Sequence, residues 1–212
     1  MKKKTQACVK ANLCTVTKKK SIATIALCLF LSTVYAQDNN GYDLRNVDSP
    51  VYIGDNIKKS MPLGHFINYK APIANLSDFD GKLVIFGFWF TRCGSCIAEF
   101  PRELALQKKM SKDIQIIMVT YETEAAVKKF INSWEQKNKT QFTLPIIVED
   151  TVLKKSFRSL FNPYYVWLDP SGCLVGQTTH LFITQSTVDA LIQSSRKEKA
   201  ILNTASKSTT IR

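Results

Sequence analysis

A continuous apolar run over residues 82–89, ending at Phe88 and Trp89, stops just short of a cysteine pair, Cys93-Gly94-Ser95-Cys96. A strand that is apolar at successive positions must be covered on both faces, so this run predicts a central strand of a covered sheet. Beyond the cysteines, Ile97, Phe100 and Leu104 recur at helical spacing, and the segment carries on to about Met110. The pair therefore sits at a strand-to-helix junction.

The rest of the chain continues the alternation. Residues 113–120 predict a second strand, and residues 123–139 a helix with Thr123 as N-cap and Val127, Phe130, Ile131 and Trp134 on its buried face. Residues 143–148 predict a short strand, and the proline near its start suits an edge. Asp150 is placed to cap a short helix through Leu160. Residues 163–168 and 173–177 are joined by Asp169-Pro170-Ser171-Gly172, a type I turn signal that makes them a hairpin. Ser186 with Asp189 opens a final helix carrying Val188, Leu191 and Ile192. Residues 51–80 are poorly regular. The order β-α-β-α-β-α-β-β-α predicts an α/β domain with a mixed sheet and helices on both faces.

The chain is 212 residues long, and 45% of them are hydrophobic, enough for a real core. Its formal net charge of +12 would suggest nucleic acid or an anionic membrane if it covered the domain. It does not. Residues 1–36 hold +7 and residues 196–212 hold +4, leaving +1 for residues 37–195. No nucleic-acid partner follows from such a balance.

Residues 1–36 read as a signal peptide. Lys18, Lys19 and Lys20 precede an apolar stretch over residues 22–34, and Val34-Tyr35-Ala36 supplies a cleavage site before Gln37. The stretch is short of the roughly 20 apolar residues of a membrane span. The expected location is the periplasm, with inner-membrane anchoring and membrane contact only if the leader stays uncleaved. Cys28 follows Leu27, where a lipoprotein would need a small residue. Residues 37–50 read as a linker, residues 51–195 as the domain, and residues 196–212 as a frayed helix end and a basic, disordered tail.

Of six cysteines, Cys8, Cys14 and Cys28 lie in the leader, so the mature chain keeps Cys93, Cys96 and Cys173. Three thiols allow one close pair and one left over. At a helix N-terminus the unpaired N–H groups and the macrodipole favour an anion, so the first thiol gains thiolate character. Spacing of i, i+3 brings both sulfurs to one side of the first turn. Cys93 would be the exposed nucleophile and Cys96 the sheltered resolving thiol, with Arg92 adding positive charge. Other chemistries use the same residues. A zinc site would need Cys173 with His65 or His180, candidates scattered singly. An exported protein also permits an inert disulfide. A cysteine protease would need His65 or His180 as base, and a peroxidatic cysteine would have Thr91 as its only nearby hydroxyl.

The segment Phe88-Trp89-Phe90-Thr91-Arg92-Cys93-Gly94-Ser95-Cys96-Ile97-Ala98-Glu99-Phe100-Pro101 resembles the active-site segment of exported thioredoxin-like proteins of the TlpA/ResA type, such as those abundant in Bacteroidetes-type bacteria. The resemblance runs from roughly Val51 to Ser195 and takes in the lead-in at residues 77–82, Pro163 and the hairpin turn. It implies a thioredoxin fold and a redox-active disulfide between Cys93 and Cys96. It implies that Pro163 is a cis-proline facing the pair, leaving the backbone of Asn162 free to align an extended substrate, with Trp89 and Arg92 also on the substrate side. Pro101 matches a proline that kinks the active-site helix; without the resemblance, a helix could begin after it. Glu99 matches a glutamate on the Cys96 face, placed to take the proton from Cys96, although a solvated helix glutamate has the same spacing.

The departures are informative. Thioredoxins carry a buried aspartate two residues before the tryptophan, where this chain has Gly87, which leaves Glu99 as the only nearby carboxylate. Arg92 replaces an aromatic residue, and Ser95 stands where many relatives have proline, so a redox potential cannot be transferred. Cys173 reads as a buried, inert thiol.

The expectation is an exported thiol–disulfide oxidoreductase, monomeric, with no bound cofactor and no metal. The resemblance favours protein disulfide reduction, fed by a membrane thiol electron donor. Its substrates would be disulfide-bearing proteins: an apocytochrome in cytochrome c biogenesis, a cell-surface protein, or a broad set. The alternatives are a non-catalytic interaction domain with a static disulfide, and a metal-binding or metal-delivery domain.

Overall fold

A computed structural model describes residues 50–209. The expected signal peptide and cleavage site, and all but the last residue of the expected linker, lie outside the described residues. The elements are β1 (Pro62–Ile67), β2 (Ile73–Asn75), a 3-10 turn (Leu76–Phe79), β3 (Leu83–Phe88), α1 (Gly94–Lys109), β4 (Ile114–Val119), α2 (Glu124–Asn138), β5 (Ile146–Val148), α3 (Leu153–Ser156), β6 (Tyr164–Leu168), β7 (Leu174–Thr179), a second 3-10 turn (His180–Phe182) and α4 (Gln185–Thr209).

Seven strands form one mixed sheet in the order β2-β1-β5-β4-β3-β6-β7. The apolar run is its central strand. β3 pairs in parallel with β4 from Leu83↔Ile114 to Phe88↔Val119, and antiparallel with β6 from Val84↔Leu168 to Phe88↔Tyr164. Every residue of β3 is buried, because alternate side chains enter two separate cores. Leu83, Ile85 and Trp89 join Phe100, Val127, Trp134 and Val188, so α1, α2 and the start of α4 cover one face. Val84, Phe86 and Phe88 join Ile57, Met61, Leu76, Phe79, Leu153 and Phe157. That second face is closed by the chain entering β1, the first 3-10 turn and the short α3.

Three expectations are corrected. Residues 143–148 do not form an edge. β5 lies between β1 and β4, because the irregular stretch before β3 contains a β1–β2 hairpin that pairs outside it. Pro145 fits this interior place because it precedes the strand and uses only its carbonyl, which accepts from Met118 N at 2.9 Å. Thr184, not Ser186, caps α4: its Oγ1 accepts from Thr187 N at 3.2 Å. The expected boundary at residue 195 falls inside α4, which continues to Thr209. No Gly or Pro interrupts residues 185–209, and the Arg-Lys-Glu-Lys-Ala stretch is made of good helix formers. Arg196 is also tied to Asp113 at 2.9 Å. The other caps agree with the sequence, although the helix that Asp150 caps ends at Ser156, short of Leu160. Thr123 Oγ1 accepts from Ala126 N, Asp150 accepts from Leu153 N and Lys154 N, and Gly172 N closes the turn onto Asp169 O.

Candidate active site

β3 delivers the chain to the sheet's C-terminal edge, where Trp89 N still donates to Val119 O at 3.0 Å. The next residues are clamped from β4's side. Glu122 accepts from Thr91 N at 2.6 Å and from Thr91 Oγ1 at 2.7 Å, which fixes the loop two residues before Cys93. Cys93 is the N-cap of α1 and is bonded to Cys96, with Cα atoms 5.3 Å apart. Cys96 N donates to Cys93 Sγ at 3.2 Å, and Ser95 Oγ lies 3.5 Å from the same sulfur. A backbone donor at a helix N-terminus thus points at the atom that would carry a thiolate.

Cys93 is less open than expected: it is 6% exposed in the disulfide, against 1% for Cys96. The order of exposure holds, but neither sulfur is freely accessible. Arg92, Gly94 and Ser95 beside them are exposed. Trp89 is buried at 1% exposure, packed edge-on against Phe100 with ring centroids 5.1 Å apart, so its indole supports the helix from below.

The Asn162–Pro163 bond is cis. With its side-chain amide turned so that the nitrogen faces them, Asn162 donates to Phe88 O at 3.0 Å and to Phe161 O at 3.2 Å, which ties the turn before β6 to the end of β3. Leu160 is 89% exposed and Phe161 50% exposed on that turn. Phe90 packs near Tyr121 on the other side of the same sheet edge, at 6.3 Å between centroids. The exposed Arg92 and this apolar rim are what a protein approaching the sheet's C-terminal edge would meet. A shallow hollow between Trp89, Tyr121, Lys154 and Asn162 opens there.

Pro101 lies inside α1, so the helix does not begin after it. Glu99 is half-buried and ion-paired with Arg102, which also donates to His180 O. It is therefore neither a solvated glutamate nor the only nearby carboxylate. Glu103, which the sequence reading missed, is 0% exposed. Its Oε1 accepts from Tyr165 Oη at 2.6 Å, and its Oε2 has no hydrogen-bond partner among the described residues. Burial is the main cause that pushes its pKa up to about 7, opposed by the Tyr165 hydrogen bond. Burial, with Glu103 beside it, likewise pushes the Tyr165 phenol up. The signal for Glu103 was in the periodicity: Cys96, Phe100, Glu103 and Leu106 are the buried residues of α1, spaced i, i+4, i+7 and i+10.

Cys173 is buried and stands outside the disulfide, with its backbone N donating to Asp169 Oδ1 at 2.9 Å. His65 is on β1, next to Glu124 at 3.5 Å, and His180 is in the second 3-10 turn. Among the described residues, no group of three or more His, Cys, Asp or Glu is placed to hold a metal ion.

Residues 71–185 match the Redoxin family. The chain is 25% identical over 105 residues to the thioredoxin-like protein YneN of Bacillus subtilis (strain 168), covering 48% of this chain and 58% of that one. It is similar in fold to the thioredoxin domain of the thiol-disulfide oxidoreductase BVU-2223 from Bacteroides vulgatus, with a TM-score of 0.52 and 20% identity over 67% of this chain and 99% of that one. A mutant of PrxQ from Xylella fastidiosa gives a TM-score of 0.51 and 15% identity over 71% and 99%. The architecture is a thioredoxin-like α/β fold, and its cysteine pair closes a disulfide at the head of α1. With more than half of its 212 residues matched, the chain belongs to the Redoxin family.

Proposed function

We propose that this chain is an exported thiol–disulfide oxidoreductase of the TlpA/ResA type that reduces protein disulfides. The observation that carries the reading is the Cys93–Cys96 disulfide at the N-terminus of α1, with Cys96 N donating to Cys93 Sγ at 3.2 Å. That donor and the helix dipole stabilise a Cys93 thiolate once the pair is reduced. The thiolate attacks a substrate disulfide and forms a mixed disulfide; Cys96 Sγ then attacks Cys93 Sγ and expels the substrate as a thiolate. Glu99, three residues beyond Cys96, takes the proton from Cys96 in this scheme. Arg92, Phe161, Asn162 and Pro163 align the substrate chain. A membrane dithiol returns two electrons to the oxidised pair in the periplasm, and the protein works as a monomer.

The test is reduction of insulin by dithiothreitol, followed by turbidity. Wild type should accelerate precipitation strongly, and Cys93→Ser should fall to the uncatalysed rate. The low exposure of Cys93 favours a second reading, an interaction domain with a static disulfide. Equal rates for wild type and Cys93→Ser would select it.

A further inference from the structure

We propose that Glu103 is a positioning residue that stores a proton for the cysteine pair, taking it up as the Cys93–Cys96 disulfide is reduced and giving it back as the disulfide re-forms. The inference rests on the redox reading of that pair. Its basis is the geometry of a carboxyl that the fold buries and leaves half satisfied. Glu103 lies on the same face of α1 as Cys96, seven residues on, or about 10 Å along the helix axis. The space between is filled by Phe100, itself 0% exposed, so little water screens the two sites from each other.

The carboxyl cannot easily change partners. Tyr165 Oη holds Oε1, and the tyrosine ring is itself wedged. A Cβ on Gly87 would stand 3.1 Å from Tyr165 Cε1 and 3.2 Å from Met118 Sδ, so the missing side chain at residue 87 is what admits the ring. Oε2 has no partner among the described residues, and Arg102, the cation that acts on Glu103, is turned toward Glu99 and His180 O. The titratable and charged groups acting on Glu103 are Tyr165 from β6 and Glu99 and Arg102 from its own helix. Protonation is the remaining way to neutralise it.

The coupling is electrostatic and its balance is closed. When a dithiol donor reduces the enzyme, its two S–H bonds break and its own S–S bond forms, while the Cys93–Cys96 bond breaks. One proton stays on Cys96 Sγ. Cys93 is left as a thiolate, and the second proton goes to the Glu103 carboxylate. A new negative charge about 10 Å away through protein raises proton affinity at Glu103 about tenfold. Oxidation reverses every step.

The test is the equilibrium constant for reduction by dithiothreitol, read by tryptophan fluorescence from pH 6 to 8.5, with infrared difference spectra of reduced minus oxidised protein. In wild type the constant should fall about tenfold more across this range than in Glu103→Gln, and a carboxylic-acid C=O band should appear on reduction and be absent in Glu103→Gln. Tyr165→Phe should move the window to higher pH, because the lost hydrogen bond favoured the carboxylate. Superimposable pH dependences for wild type and Glu103→Gln overturn the inference. If Glu103→Gln does not fold, the wild-type band decides, and its absence overturns the inference. Failure of the redox reading is distinguishable: neither protein would exchange with dithiothreitol at all.

Discussion

Tyr165 donates its phenolic hydrogen to Glu103 across 2.6 Å in a core where the two residues are 1% and 0% exposed. The contact joins the strand that follows Pro163 to the helix that begins at Cys93. It makes a titratable bond part of the frame that holds the two halves of the site together.

Burial of that carboxyl, which outweighs the opposing Tyr165 hydrogen bond, fixes the sign of a pH effect on stability in the oxidised protein. The Glu103 carboxyl has an ordinary value of 4.5 and is raised to about 7 in the fold. Below the unfolded value both states are protonated. As pH rises from 4.5 toward 7 the unfolded chain ionises first, so the folded state binds more protons and stability falls, by about 3 kcal/mol in total. Urea unfolding of wild type should therefore show a lower midpoint at pH 7.5 than at pH 5. Glu103→Gln should remove that loss, with other carboxylates giving a common background. Identical pH profiles would rule the burial argument out.

The support beneath the cysteines is aromatic. Phe100 packs on Trp89, Trp134 and Phe142, with centroids 5.1, 5.6 and 4.9 Å away. Phe100→Ala should cost about 3–5 kcal/mol in urea unfolding. A loss under about 1 kcal/mol, small for a core aromatic, would mean that the helix does not depend on this cluster.

The clamp on Thr91 makes a separate prediction. Glu122 holds two donors of Thr91 at 2.6 and 2.7 Å, and charged hydrogen bonds of this kind are worth about 1.5–3 kcal/mol each. Glu122→Ala should lower the unfolding free energy by about 2 kcal/mol and slow insulin reduction several-fold. Glu122→Gln, which keeps one acceptor oxygen, should recover part of both. A Glu122→Ala protein with wild-type stability and rate would show that the clamp does not hold the loop.

Leu160 and Phe161 test the substrate side. They are 89% and 50% exposed on the turn before Pro163. Leu160→Ser with Phe161→Ser should cut kcat/KM for a protein disulfide several-fold and leave reduction of a small disulfide unchanged. Equal losses on both substrates would mean that the turn acts on the cysteines and not on the partner.

What the sequence revealed follows from what local patterns encode. The apolar run of β3, the Thr123 cap and the Asp169–Gly172 turn are each written in adjacent residues, and each formed where expected. The β1–β2 hairpin is not written that way. A register irregularity between Pro62 and His65 breaks its alternation, and Gly64, at φ +144°, exists to let the chain pass Ile147, whose Cγ2 would lie 2.7 Å from a Cβ there. Missing that hairpin is what made β5 look like an edge. At the site, the motif pointed to Cys93, Cys96 and Pro163, and the structure bonds the two cysteines and makes the Asn162–Pro163 bond cis; Glu103 is marked only by its place in the buried stripe of α1. Its partner, Tyr165, is 62 residues away in sequence and reaches it only through the sheet.

The most direct test of the central claim is to trap the intermediate. Cys96→Ala, purified reduced and mixed with oxidised insulin without added thiol, leaves Cys93 able to attack and nothing to resolve the adduct. Non-reducing mass spectrometry should find a disulfide-linked adduct through Cys93, and none with Cys93→Ser. If reduced Cys96→Ala forms no adduct, Cys93 is not the nucleophile and the account of this chain as a thiol–disulfide oxidoreductase is contradicted.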